Sequence, residues 1–285
     1  MKGQLPNLLI IGAPRAGTTF IYDMLIEDER IFAPSLRKEI NYFDVNFSKG
    51  LKWYSDLYDQ PEIKNSEIAY RLDASPGYLA KHDCAQKITT LPNKNELKFI
   101  ICIRDPVDRA YSQWKYRVQK RAENRTFSEF MSSEKEAIRL SSYGKSLQKY
   151  LKDFSEEQFF IIHFDDIINK PQNVQKKLYK FLELEGYPDT NFENINKNIS
   201  FLPKYKKLYH FLFLVKQWMR QNNQNHLVNY LKKKINWIKV FKSNKKFQII
   251  DANDKQKFSQ IFTTDQLILS TIIKNLNTTY KDVMK

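Results

Sequence analysis

The chain has 285 residues, 47 Lys and Arg against 32 Asp and Glu, and a formal charge of +15. Its 42% hydrophobic content, with 20 Phe, 16 Tyr and 4 Trp, excludes a disordered chain and allows one large α/β core. Only Cys84 and Cys102 occur, which excludes a disulfide framework and suits a reducing compartment.

The elements alternate. Leu8–Gly12 is apolar throughout, as in a central parallel strand. Thr18–Glu29 reads as a helix, Ile31–Ala33 as a short strand and Ile68–Ala74 as a third strand. A helix is expected at His82–Thr90, a strand at Phe99–Ile103 and a helix at Pro106–Gln119, with proline in its first turn. Phe127–Ser133 and Tyr143–Phe154 read as helices, Phe159–Phe164 as a strand, and Pro171–Leu184 as a helix ending before Gly186. This order predicts an α/β, P-loop-like three-layer fold: a central parallel sheet flanked by helices.

Beyond residue 190 the pattern changes. From Asn194 to Ile250 there is no Asp or Glu, yet thirteen Lys and Arg stand among ten aromatic residues. Helices are expected at Lys206–Arg220 and Leu227–Lys239, and another at Lys255–Leu276 with a cap and break at Thr264–Asp265. Such a basic, aromatic stretch suits a polyanion, a nucleotide or an anionic lipid surface, or is simply a solvated face over an aromatic core. We expect one domain over residues 1–285: a core at 5–190, a basic closing region at 194–250 and C-terminal helices at 255–280. No run of ~18 apolar residues exists, so no transmembrane segment is expected. The first strand begins too early for a secretory signal.

Two segments carry the chemistry. LLIIGAPRAGTT, Leu8 to Thr19, is a strand, a glycine turn and a helix start, an arrangement that cradles phosphate on free N–H groups. Gly12, Gly17 and Thr19 match the spacing G-x-x-x-x-G-K-[ST], but Thr18 stands where the lysine belongs, and the cation is Arg15. LKFIICIRDPVDRAYS, Leu97 to Ser112, carries Arg104 off a strand end, a planar fork suited to phosphate, with Arg109 and Ser112 on the following helix.

Together these segments resemble the sulfotransferases that use 3′-phosphoadenosine 5′-phosphosulfate (PAPS). RKEINYFD (Arg37 to Asp44) is similar to the K-E-x-x-F-F segment of the carbohydrate, heparan-sulfate-type branch. LKWYSDLY (Leu51 to Tyr58), DASPGYL (Asp73 to Leu79) and the stretch from Ser141 to Leu184 resemble later elements of that branch, in the same order.

The resemblance implies that Arg15, Ala16, Gly17, Thr18 and Thr19 grip the 5′-phosphosulfate. It implies that Arg104 and Ser112 hold the 3′-phosphate, and that Lys204 belongs to a loop closing over the nucleotide. Arg15 takes a place usually held by lysine and, giving up a proton poorly, suits charge stabilisation better than general-acid work. Glu39 is the candidate general base, with Lys38 a second catalytic cation and His82 the rival base. Where some relatives have a lysine before Ser-Pro, this chain has Ala74. Asp73 stands nearby, to bond Arg15 or an acceptor hydroxyl, and Tyr78 either lines the site or packs. Arg109 is equally a structural arginine, and Thr18 is equally a plain helix cap.

The implied activity is sulfuryl transfer from PAPS to a hydroxyl or amine of a glycan or glycolipid, leaving adenosine 3′,5′-bisphosphate. The four histidines are scattered and suggest no metal site. No nucleic-acid partner is expected, and peripheral contact with an anionic membrane surface is. Relatives of the Golgi carry a membrane anchor; none is expected here, and a soluble, cytoplasmic, bacterial-like enzyme is the expectation. The alternatives are a P-loop-like nucleotide kinase and a non-catalytic module binding nucleotides or polyanions.

Overall fold

The structure is a computed structural model describing residues 4–34, 38–59, 68–192, 200–221 and 240–283. Its elements in chain order are β1 (Leu8–Gly12), α1 (Thr18–Leu25), β2 (Ile31–Phe32), α2 (Gly50–Asp56), β3 (Tyr70–Ala74), α3 (Cys84–Ile88), β4 (Lys98–Ile103) and α4 (Pro106–Lys120). They continue as α5 (Phe127–Ser133), α6 (Lys135–Ser141), α7 (Tyr143–Tyr150), β5 (Phe159–His163), α8 (Phe164–Asn169), α9 (Pro171–Phe181), α10 (Lys206–Gln221) and α11 (Ala252–Val283). Leu227–Lys239 and Arg37 lie outside the described residues. The chain forms two compact units: residues 1–106, 139–195 and 261–285 make the first, and residues 107–138 and 196–260 the second.

The first unit holds a five-stranded sheet in the order β2-β3-β1-β4-β5, every neighbouring pair parallel. This is the α/β architecture expected. β1 lies at the centre because it is apolar at every position; Leu8, Leu9, Ile10 and Ile11 are fully buried, each contributing about 1.5–3 kcal/mol. From β1 the chain builds β2 and β3 on one side and β4 and β5 on the other. The order therefore reverses between β1 and β4, and ligands of open α/β sheets bind beyond the carboxyl ends of strands at such a point.

The C-terminal helix differs from expectation. α11 is continuous, with no break at Thr264–Asp265. The Asp265 carboxylate looks like a cap in sequence but serves another helix: it is buried and accepts the N–H groups of Gly144 (3.0 Å) and Lys145 (2.8 Å) at the start of α7. A side chain on Gly144 would collide with the Asp265 carbonyl oxygen and come within 2.9 Å of the Leu269 nitrogen, so glycine sets how closely α7 and α11 approach.

In the second unit, Trp114 of α4 packs with Tyr111, Phe127 and Phe247. Arg109 is wholly buried and donates to Gln113 Oε1 (2.7 Å) and the Ala137 carbonyl (2.9 Å), a structural arginine. Phe201, Tyr209 and Phe241 form a small separate core beside a bridge joining Pro203 and Lys242. No helix among the described residues is long and apolar enough to cross a membrane.

Candidate functional site

The glycine turn follows β1. Ala13 N–H is tied to the Cys102 carbonyl of β4 (2.8 Å), so the turn starts from a fixed point at the carboxyl end of the central strand. Arg15 and Gly17 both have positive φ, 71° and 96°. Gly17, not Thr18, occupies the cap position of α1, with no side-chain cap; Thr18 is the buried first residue of the helix. The first N–H groups of a helix have no acceptor within it, so the start of α1 presents donors and the positive end of the helix dipole. The Ala16 N–H is turned inward to the Ala13 carbonyl (3.2 Å). A methyl group on Gly12 would lie 2.6 Å from Leu79, so only glycine lets the turn start this close to the neighbouring chain.

Lys38 and Glu39 reach the same region of the first unit. Lys38 Nζ donates to Thr19 Oγ1 at 2.8 Å and lies 5.3 Å from the centre of the Tyr22 ring. Burial pushes the Lys38 ammonium pKa down, opposed by Glu39, Asp23 and Cys102. Glu39 is exposed to solvent as a residue, while its carboxyl feels the surrounding protein. Desolvation raises its pKa, the Lys38 charge opposes this and Asp44 reinforces it. A carboxylate with a raised pKa on a solvent-exposed residue can accept a proton from an entering group.

Arg104 continues straight out of β4. Its guanidinium lies over the Phe164 ring, 4.2 Å from the ring centre, and among the described residues it has no carboxylate or hydrogen-bond partner. The same ring borders the glycine turn: a Cβ on Gly17 would stand 3.3 Å from Phe164 and 2.6 Å from Ile167. Phe164, the first residue of α8, thus joins the arginine to the turn. Sequence reasoning missed it; its one signal is an aromatic residue directly after an apolar strand.

Asp73 does not bond Arg15 and cannot reach an acceptor, as it is completely buried at the end of β3. It accepts the hydroxyls of Tyr54 (2.7 Å), Tyr78 (2.9 Å) and Ser75 (2.6 Å). Burial drives its pKa up to about 6 against the pull of those three hydrogen bonds, and Asp44 adds to the rise. Tyr78 accordingly packs rather than lines the site. His82 is exposed in the turn before α3. Ser112 is buried on α4 and Lys204 exposed beside the Pro203–Lys242 bridge; both belong to the second unit. Among the described residues no group of His, Cys, Asp and Glu is arranged to hold a metal.

Residues 5–211 match the family described as the sulfotransferase domain. The chain belongs to that family. This sulfotransferase domain is 29% identical over 195 residues to heparan sulfate glucosamine 3-O-sulfotransferase 5 of Mus musculus, a match covering 64% of the chain and 54% of that protein. It is 27% identical over 191 residues to heparan sulfate glucosamine 3-O-sulfotransferase 3B1 of Homo sapiens, covering 64% and 47%. The chain thus spans about half the length of these curated relatives. The crystal structure of a sulfotransferase from Alicyclobacillus acidocaldarius shares its fold, with a TM-score of 0.56 at 24% identity over 67% of this chain and 88% of the other.

Proposed function

We propose that this sulfotransferase domain transfers a sulfuryl group from PAPS to a hydroxyl or amine of a glycan or glycolipid. The observation that carries the reading is one cluster in the first unit. A glycine turn has its Thr19 bonded to Lys38, Glu39 beside it has a raised pKa, and Arg104 has no anionic partner among the described residues. Its donors are N–H groups, hydroxyls and cations, which suit a nucleotide bearing phosphate and phosphosulfate. The glycan acceptor is supported by the likeness to two heparan sulfate 3-O-sulfotransferases.

The bound donor supplies an electrophilic sulfur, whose bond to the 5′-phosphate oxygen breaks as the acceptor oxygen or nitrogen bonds to it. Glu39 takes the acceptor proton on its carboxylate. Arg15 and Lys38 stabilise the charge that grows on the departing phosphate, together with the N–H groups of Gly17, Thr18 and Thr19. Arg104 holds the 3′-phosphate, its plane kept by Phe164. For Ser112 and Lys204 the assigned roles rest on the motif alone. Action in the cytoplasm is part of the same reading, and the two free, buried cysteines support a reducing compartment. Contact with an anionic membrane surface is also part of the reading, supported by the basic stretch beyond residue 190.

Calorimetric titration with adenosine 3′,5′-bisphosphate tests this, with AMP and ATP plus Mg²⁺ as controls. Binding that requires the 3′-phosphate and ignores Mg²⁺ is expected. Preference for ATP with Mg²⁺ returns the nucleotide-kinase reading.

A further inference from the structure

The buried Asp73 carboxylate lies outside the chemistry just described, yet its bonds lead to it. Ser75 gives its proton to Asp73 Oδ1, so its oxygen is free to accept, and it takes the Asn41 N–H at 2.9 Å. Tyr78 gives its proton to Asp73 Oδ2 and its oxygen takes the Tyr42 N–H at 2.6 Å and the Phe43 N–H at 3.4 Å. Tyr54, the third donor to Asp73, stacks flat on the Tyr42 ring, with centres 4.1 Å apart and planes 11° apart. Three tethers from one carboxylate thus converge on residues 41–43, separated from Lys38 and Glu39 by Ile40 alone. We propose that Asp73 is a positioning residue for Glu39 and Lys38, acting through Ser75, Tyr78 and Tyr54 on the backbone that carries them.

The polarity of the relay requires an ionised carboxylate. With only acceptor atoms at its centre, every hydroxyl must point inward, and every hydroxyl oxygen is then available to a backbone N–H. A group that donates from the same place reverses one hydroxyl, which then competes with the N–H it should accept. Asn is such a group, equal in size and shape but a donor on one side. The groups facing Asp73 are the hydroxyls of Tyr54, Ser75 and Tyr78, with the Tyr58 ring system and the Asp44 carboxylate close enough to act on its charge. Tyr54, Tyr58 and Tyr78 have their pKa raised well above the ordinary value, first by burial and then by Asp73, so they stay neutral donors.

This inference rests on the proposed sulfuryl transfer and on Glu39 as base. The test uses Asp73→Asn and Tyr78→Phe, the second of which keeps the ring and the carboxylate and removes one relay oxygen. Both are compared with wild type by kcat, by affinity for adenosine 3′,5′-bisphosphate and by melting temperature. Displacement of a reacting group by about 1 Å costs on the order of 100-fold in rate. We expect kcat to fall at least tenfold in each variant, with nucleotide affinity within twofold of wild type. In a Glu39→Gln background, either change should lower the remaining rate by clearly less than in the wild-type background, because one of the two residues it positions is already gone and only the misplacement of Lys38 is left to read. Wild-type kcat in the folded Tyr78→Phe or Asp73→Asn protein overturns the proposal, and so does the same tenfold loss in the Glu39→Gln background. A wild-type protein inactive with every acceptor, or a Glu39→Gln protein of normal rate, defeats the underlying reading instead.

Discussion

Replacing Gly17 by alanine separates the conformational role of the glycine turn from its steric one. Gly17 has φ 96°, where a side chain costs about 1–2 kcal/mol. The new methyl would also stand 2.6 Å from the Ile167 Cδ1 atom and 3.3 Å from Phe164. The first neighbour is the mobile tip of a side chain and moves cheaply. The second is the ring that supports Arg104, so any displacement passes to the guanidinium. Gly186 is the control: its φ is 66°, nothing lies within 4 Å of a methyl there, and it carries backbone strain alone. Both variants should melt several degrees lower, since about 1 kcal/mol corresponds to roughly 2–4 °C in a chain of this size class. Only Gly17→Ala should weaken adenosine 3′,5′-bisphosphate, by roughly tenfold for about 1.4 kcal/mol of lost binding. Scanning fluorimetry and calorimetry read the two effects separately. Equal melting losses with unchanged nucleotide affinity in Gly17→Ala would refute the placement of the nucleotide on this turn.

Three further outcomes follow from the same geometry. Because burial raises the Glu39 pKa, the acid limb of kcat/KM should lie above the ordinary glutamate range, activity falling with pH as Glu39 takes up a proton. Lys38→Met removes the charge that opposes this rise, so the limb should move to higher pH; a limb that stays put or moves down separates it from Glu39. Arg104→Ala should weaken adenosine 3′,5′-bisphosphate by about 10- to 100-fold, the range of one or two charge-assisted hydrogen bonds, and leave AMP unaffected in the same titration. Asp265→Ala leaves the Gly144 and Lys145 N–H groups without their acceptor and should cost about 2–4 kcal/mol in urea unfolding, with Asp265→Asn recovering part of it.

The sequence made β1, the glycine turn and Arg104 readable because their signals are local. An all-apolar run becomes a central strand, and two glycines five apart become a tight turn. Pro106 starts α4 and so forces Arg104 onto the strand end. Element ends shifted where the last helical turn passes into tighter turns: the helix expected over Thr18–Glu29 stops at Leu25, and that over His82–Thr90 shrinks to Cys84–Ile88. What stayed hidden was long-range. Nothing near Asp73 in the chain marks Tyr54 as its partner, nineteen positions away. Asp265 carries a cap's chemistry, but its partner Gly144 stands 121 positions earlier, so local reading placed a break where a continuous helix runs. The stacking of Arg104 on Phe164 likewise depends on β4 and β5 being neighbours in the sheet.

Transfer of labelled sulfur from PAPS to a heparan sulfate acceptor, by wild type and by Glu39→Gln, tests both the activity and the base. Labelled glycan is expected from wild type and a rate lower by about 10²–10⁴-fold in the variant, with adenosine 3′,5′-bisphosphate bound equally by both. Labelled product formed at the same rate by both proteins would contradict the assignment of Glu39 as base. Failure of the nucleotide-bound wild type to label any glycan or glycolipid would contradict the proposed activity itself.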